Sequence, residues 1–162
     1  MIRLVVLIAL MGQACLHAQR SYGYALAGPV FPSSDTFTRY QNTMLQVAGG
    51  GDLHIGPVAA LNGELGGLFP TNNAFGVNSF LGGGGASIHL LGSRTGKVDP
   101  FVNLGVGVIT NSGAGALVYA GAGANVWLAP RLGVRVDVRD WIPVTFDDRL
   151  HLVAVRFGIA FR

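Results

Sequence analysis

Two groups of residues are of the types that can do chemistry. The first, Gly92–Lys97, reads Gly-Ser-Arg-Thr-Gly-Lys and is similar to a phosphate-binding loop. Its glycines are one residue too close together for that loop, and Val98 stands where a serine or threonine is required. We therefore interpret this segment as a turn, and we expect the protein to bind no nucleotide and no other cofactor.

The second group contains a serine, a histidine and an acid, which together can act as nucleophile, base and orienting group. Ser87, His89 and Glu64 would suit a barrel enzyme that removes acyl chains from lipids. Ser87 and His89 share one face of a predicted strand, however, and that face is predicted below to point inward. Hydrolysis of a lipid requires a lipid-facing site, so we interpret these residues as structural. A lipid-modifying enzyme remains the alternative.

Three aspartates near the last predicted loop offer oxygen ligands for a divalent cation. They are Asp140, Asp147 and Asp148, and we interpret them as residues of a solvated loop rather than as a metal site. The chain contains neither a Gly-x-Ser-x-Gly nor a His-Glu-x-x-His motif. We therefore predict a protein that is not an enzyme and has no metal site.

The composition predicts an all-β chain of one domain. Of 162 residues, 25 are glycine and 7 are proline, and only 12% are charged, against roughly 25% in an average soluble domain. This many glycines argue against a helical protein, because each costs about 1 kcal/mol inside a helix. The formal net charge of +3 comes from scattered basic residues, so we expect no nucleic-acid partner.

Residues 1–18 have the order of a cleavable signal peptide. One arginine precedes an apolar run from Leu4 to Met11, and small residues follow. We expect cleavage after Ala18, which leaves a barrel domain of residues 19–162. Cleavage before Cys15 is the alternative and would leave a cysteine available for lipid attachment. Either cut predicts an exported protein.

Eight segments alternate between apolar residues and polar or small ones, with the period of two that marks a β-strand. The last is the clearest, because large apolar residues at odd positions up to Phe161 alternate with small residues and Arg156. The first strand, near Tyr22–Pro29, is expected to be short. The clear strands have roughly 9–12 residues, which is about the length that a tilted strand needs to cross a bilayer.

Short connections alternate with longer and more polar ones, which predicts an up-and-down barrel with its short turns at one rim. The expected short turns lie at Gly56–Pro57, 92–97 and 129–131, and the expected longer loops at 31–43, 69–74, 109–116 and 141–149.

The composition of the two strand faces predicts which of them is inside. The polar face is mainly Gly, Ala, Asn and Ser, with few charges. A soluble barrel needs an exterior that is about 25–35% charged, so this small and neutral face fits the narrow lumen of an eight-stranded barrel. The bulky aliphatic face then contacts lipid. A soluble exported barrel that binds a small apolar ligand is the alternative.

Six charged residues then fall in the lumen, where we predict that they form ion pairs. Arg156 and Asp137, on adjacent strands, are the first expected pair. A lumen filled in this way would be plugged rather than a wide pore. The candidates are Asp52, Glu64, Arg135, Asp137, Arg139 and Arg156.

Six aromatic residues fall near predicted strand ends, where rings at the membrane interface anchor membrane proteins. The candidates are Tyr22, Phe101, Trp127, Trp141, Phe157 and Phe161.

The signal segment, the eight strands and the terminal run Val155–Arg162 resemble those of the bacterial outer-membrane β-barrel family, which includes the membrane domain of outer membrane protein A. The resemblance implies an eight-stranded transmembrane barrel in the outer membrane, in contact with lipid and recognised through its last strand by the barrel assembly machinery. In that family the last strand commonly ends in an aromatic residue, whereas Arg162 follows Phe161 here. The implied role is structural or one of surface interaction through the longer loops, with a surface ligand that the sequence does not identify.

Overall fold

The computed structural model describes residues 21–33, 43–71, 79–91, 96–110, 113–144 and 150–162. The predicted signal segment and Cys15 lie outside the described residues. So do Asp147, Asp148 and residues 92–95 of the segment that is similar to a phosphate-binding loop.

The described residues form eight antiparallel strands that close into one barrel, with each strand beside the next in the chain and the last beside the first. The prediction of an all-β, up-and-down, eight-stranded barrel is confirmed. No helix in the described part of the chain is long and apolar enough to cross a membrane. The strands are β1 Tyr22–Ser33, β2 Met44–His54, β3 Ala59–Pro70, β4 Ser79–His89, β5 Val98–Thr110, β6 Ala114–Ala129, β7 Leu132–Pro143 and β8 His151–Phe161.

The first strand is longer than the sequence indicates. The expected segment ends at Pro29, but β1 continues to Ser33, which pairs with His151 of β8. Pro29 and Pro32 cannot donate a backbone hydrogen bond and therefore argue against a strand in sequence terms. β1 nevertheless continues past both prolines, because it pairs with β8 at its start and at its end.

The two rims differ in their connections. The start of β1 and the end of β8 lie at the lower rim with the strand ends that residues 55–58, 90–97 and 130–131 join. The strand ends joined by residues 34–43, 71–78, 111–113 and 144–150 lie at the upper rim. The expected long loop at 109–116 is wrong, because the ladder continues through Thr110 paired with Ala114. Small residues at the start of β6 made that stretch resemble a loop, although they pair normally.

The predicted orientation of the two faces is confirmed. Large apolar side chains such as Leu65, Leu104 and Ile159 are exposed on the outer wall. Polar and charged side chains such as Gln46, Asn125 and Arg156 are buried inside. The barrel is therefore inverted relative to a soluble one, and the outer wall is suited to hydrocarbon.

Inward-facing glycines make room for one large ring. The Tyr119 ring lies against Gly85 and Gly105 on the neighbouring strands, and a Cβ added to Gly105 would lie 2.6 Å from the Tyr119 Cζ. A side chain at Gly105 would also meet the backbone of β4. The glycines of β4 and β5 are thus required by close packing inside the lumen.

We expect Gly105→Val to lower the free energy of unfolding by about 1–3 kcal/mol, because overpacking a close-packed interior strains its neighbours. The measurement is urea unfolding in detergent micelles, followed by tryptophan fluorescence. Gly63→Val is the control, because an added Cβ there has no atom within 4 Å on the outer wall. Equal losses for the two variants would contradict this account.

Candidate functional site

The centre of the lumen is an ion-pair network built around Arg156. Its Nε and Nη2 donate to the two carboxylate oxygens of Asp137 at 2.8 Å each, and its Nη1 donates to Glu64 Oε1. Asp137 is the register partner of Arg156 on β7, whereas Glu64 lies across the lumen on β3. All three side chains are buried. The two-pronged contact with Asp137 is the geometry in which an arginine binds a carboxylate most strongly.

The other two lumen arginines extend this network. Nη1 of Arg135 donates to Asp52 Oδ2 at 2.8 Å, and its guanidinium lies between the rings of Tyr24 and Phe101 at 4.0 Å from each centroid. Nη1 of Arg139 lies 3.2 Å from Glu64 Oε2. This contact is an ion pair without a hydrogen bond.

All six residues expected to pair in the lumen are therefore buried in one connected set of charges. The acids lie on β2, β3 and β7, and the arginines on β7 and β8.

Below this network the lumen is polar and aromatic. His89 Nδ1 lies 3.0 Å from Asp99, and Asn125 donates to Tyr22 Oη at 2.9 Å and to Asp99 Oδ2 at 3.2 Å. The rings of His54 and His89 are 4.6 Å apart. Sequence reasoning missed Asp99 as a lumen residue because it precedes Pro100 beside a predicted turn. Asp99 lies four residues before Asn103 on β5, so alternation along the strand would have predicted that both face the lumen.

Apolar side chains lie at both ends of the lumen. At the lower rim the guanidinium of Arg162 lies 3.8 Å from the centroid of the Trp127 ring. At the upper rim the buried apolar residues form one cluster above the charges. Its members are Val30, Leu68, Leu81, Leu117, Tyr119, Trp141, Leu152 and Ala154.

Four of the six predicted interfacial aromatics are wrong. Tyr22, Phe101, Trp127 and Trp141 point into the lumen, with exposed fractions of 5%, 1%, 7% and 1%. Each of these rings lies an even number of positions from the inward polar residues of its own strand. Side-chain alternation therefore places it in the lumen, although it is near a strand end. Trp141, for example, shares its face with Arg135 and Arg139.

The remaining two predicted aromatics, Phe157 and Phe161, are exposed on the outer wall. Phe161 lies at the lower end of β8, whereas Phe157 lies near the middle of that strand. Only Phe161 therefore has the position expected of an interfacial ring.

A serine, a histidine and an acid do lie together in the lumen, with Asp99 in place of Glu64. Ser87 Oγ is 3.5 Å from His89 Nε2, and His89 Nδ1 is 3.0 Å from Asp99. Ser87 donates to Asp52 at 3.2 Å instead of to the histidine. All of these side chains are buried, so a substrate has no access to the serine. The arrangement is a buried hydrogen-bond network.

The outer wall of the described strands carries one pair of ionisable side chains. Asp140 is part of β7 and not of the solvated loop predicted for it, and its Oδ2 lies 2.7 Å from His151 Nδ1 on β8. Both side chains are partly exposed. Among the described residues, no group of three or more His, Cys, Asp or Glu side chains is placed to hold a metal ion.

No protein-family profile matches the chain, and no curated protein sequence matches it. Several solved structures, however, align with the chain. Neisserial surface protein A aligns with a TM-score of 0.71 at 11% identity, over 88% of this chain and 96% of that one. The N-terminal β-barrel domain of Pseudomonas aeruginosa OprF aligns with a TM-score of 0.62 at 12% identity, over 88% of this chain and 96% of that one.

A third structure is Ail, the attachment invasion locus protein of Yersinia pestis. It aligns with a TM-score of 0.57 at 10% identity, over 87% of this chain and 95% of that one. At these identities the likeness is one of fold. The chain has the fold of the small eight-stranded outer-membrane β-barrels.

Proposed function

We propose that the protein is an integral barrel of the bacterial outer membrane, with a structural or surface-interaction role and a packed, non-catalytic lumen. The observation that carries this proposal is the inverted distribution of side chains. Arginines and carboxylates are buried in the interior, while large aliphatic side chains are exposed on the outside. Such a chain is stable only where hydrocarbon surrounds it.

The lumen is proposed to be plugged because side chains fill it at three levels. The upper-rim apolar cluster that contains Trp141 lies at the upper end, the Arg156 network lies at the centre, and Trp127 with Arg162 lies at the lower end. An ion entering from either side would have to displace a ring and then separate a buried ion pair. Eight-stranded barrels are just wide enough to be filled by side chains in this way.

With a plugged lumen, the proposed structural or surface-interaction role lies with the upper rim and the outer wall of the barrel. Residues 34–43, 71–78 and 144–150 join strands whose ends lie at the upper rim, and we propose that these residues meet a partner at the cell surface. Two of the aligned proteins are named as a surface protein and an attachment protein, which supports surface interaction as the class of role. Outer-membrane lipid is the proposed partner of the wall. The alternating outward face of β8 is the proposed signal for the barrel assembly machinery.

Membrane extraction tests the location. We expect the mature protein to sediment with outer membranes after an alkaline wash, and to migrate on a detergent gel at a position that changes on boiling. Recovery in the aqueous fraction would contradict the proposal and favour the soluble barrel that binds a small apolar ligand.

Planar-bilayer recording tests the lumen. We expect the refolded protein to give no stepwise conductance at high salt, because the packed layers leave no continuous water path. A wide-pore porin reconstituted by the same procedure is the positive control. Regular conductance steps from this chain would show that the layers open, and would contradict the packed lumen.

A further inference from the structure

The outer wall of the described strands carries ionisable side chains at one place only. The outward positions of the described strands are glycine, alanine, proline and large apolar residues, apart from Ser33, Thr110, Asp140 and His151. Asp140 and His151 are therefore the only ionisable side chains facing outward from these strands. A pair of ionisable residues on an otherwise apolar lipid-facing wall is a candidate functional site.

These two residues share a row with a serine. Ser33 is the direct register partner of His151 across the β1–β8 pair, so both side chains lie on the same face with Cβ atoms about 4.5–5.5 Å apart. Asp140 lies on the other side of β8, with Oδ2 at 2.7 Å from His151 Nδ1. The histidine thus stands between a carboxylate and a hydroxyl on three neighbouring strands.

This order of groups is that of an activated serine. With Asp140 at Nδ1 of His151, Nε2 is the ring nitrogen left to accept a proton, and Ser33 supplies a hydroxyl at the position directly opposite His151 on β1. Ser33 is exposed, in contrast to the buried Ser87 of the lumen. We propose that Ser33, His151 and Asp140 form a catalytic site on the outer wall that hydrolyses acyl esters of membrane lipids.

The position of the site fits this substrate class. His151 is the first residue of β8 and Ser33 the last of β1, so both lie at the upper rim. Below His151 the wall continues as Val153, Val155 and Phe157, an apolar surface along which an acyl chain can lie. Ester groups of lipids lie between the acyl chains and the polar head groups, which is the level of these three residues. This inference rests on the proposed location in a membrane.

The reaction balances without a further reactant except water. Ser33 Oγ attacks the ester carbonyl carbon while His151 Nε2 accepts the hydroxyl proton. The bond from the carbonyl carbon to the alcohol oxygen then breaks, and His151 returns the proton to that oxygen. Water next attacks the acyl-serine with His151 again accepting a proton, and this step releases a fatty acid and restores Ser33. One ester and one water give one acid and one alcohol.

Two readouts on the refolded full chain test the site. The first is covalent labelling by a fluorophosphonate, located by peptide mass. The second is release of labelled fatty acid from phosphatidylethanolamine in mixed detergent micelles. We expect the label on Ser33, no label in Ser33→Ala, and fatty-acid release that falls by about 100-fold or more in His151→Ala, in line with the usual contribution of a general base. Asp140→Asn should lower both signals.

Ser87→Ala is the matched control, since it removes the serine of the buried arrangement with His89 and Asp99. It should keep full labelling and full release. Each variant is first shown to fold by its gel shift on boiling. Labelling that is lost in Ser87→Ala but kept in Ser33→Ala would overturn the proposal, and so would a wild-type chain that neither labels nor releases fatty acid. Labelling at Ser33 in a protein that fails membrane extraction would refute the location and leave the site standing.

Discussion

Replacing Arg156 with alanine is expected to lower the free energy of unfolding by about 3–5 kcal/mol, because removing one partner of a buried ion pair leaves the other uncompensated. Arg156 donates to both Asp137 and Glu64, and all three side chains are buried. Its loss leaves two carboxylates in the centre of the lumen with fewer donors. Urea unfolding in detergent micelles, followed by the fluorescence of the two buried tryptophans, measures the change.

Arg162→Ala is the matched control for Arg156→Ala. Its guanidinium lies over the Trp127 ring at the lower rim, and an exposed contact of this kind contributes about 0.5–1 kcal/mol. The double variant Arg156→Ala with Glu64→Gln should recover part of the loss, since it removes one of the two stranded charges. Similar unfolding midpoints for Arg156→Ala and the wild type would show that the network does not stabilise the barrel.

Placing an arginine on the outer wall at Leu104 is expected to lower the free energy of unfolding by about 2–4 kcal/mol in a lipid bilayer, because a charge at the midplane loses its hydration. Leu104 is 65% exposed and central in β5. The measurement is reversible urea unfolding from phospholipid vesicles. This experiment also decides the orientation of the barrel, since an exposed arginine costs nothing on a soluble protein.

Thr110→Arg provides the depth control on the same strand and the same face. Thr110 is the last residue of β5 at the upper rim, where an arginine costs about 0–1 kcal/mol. The difference between the two variants reports depth, because both add the same side chain. Equal costs at Leu104 and Thr110 would mean that the wall does not face a hydrocarbon layer.

The strands and the identity of the lumen charges are predictable from local pattern alone. Side-chain alternation assigns each residue to a face, so the inward arginines of β7 follow from their own spacing. The same rule, applied to Trp141, predicts a lumen position. The prediction of an interfacial ring relied on the position of Trp141 near a strand end. The structure shows that alternation along the strand determines the face on which the ring lies.

Contacts across the lumen are not predictable in this way. The pairing of Arg156 with Asp137 joins neighbouring strands and follows from the order of the chain. The pairing of Arg135 with Asp52, by contrast, joins β7 to β2 across the interior. The pairing of Arg135 with Asp52 depends on the width of the barrel and on the stagger between strands. Neither can be predicted from the alternation within one segment. The row of Ser33, His151 and Asp140 likewise depends on the register of β8 with both of its neighbours.

The pairing of β1 with β8 has a consequence for how the chain folds. Every other pair of neighbouring strands is consecutive in sequence, whereas Gly23 meets Phe161 only when nearly the whole chain is in place. Forming this seam requires the largest loss of loop entropy of any contact in the barrel. Until the seam forms, the edge strands β1 and β8 each have a row of peptide N–H and C=O groups without hydrogen bonds. Burying such groups in hydrocarbon costs several kcal/mol each, on the order of the values for unsatisfied polar groups. Closure of the seam and entry into the acyl layer are therefore expected to be one concerted event, with slow kinetics set by the meeting of the chain's two ends.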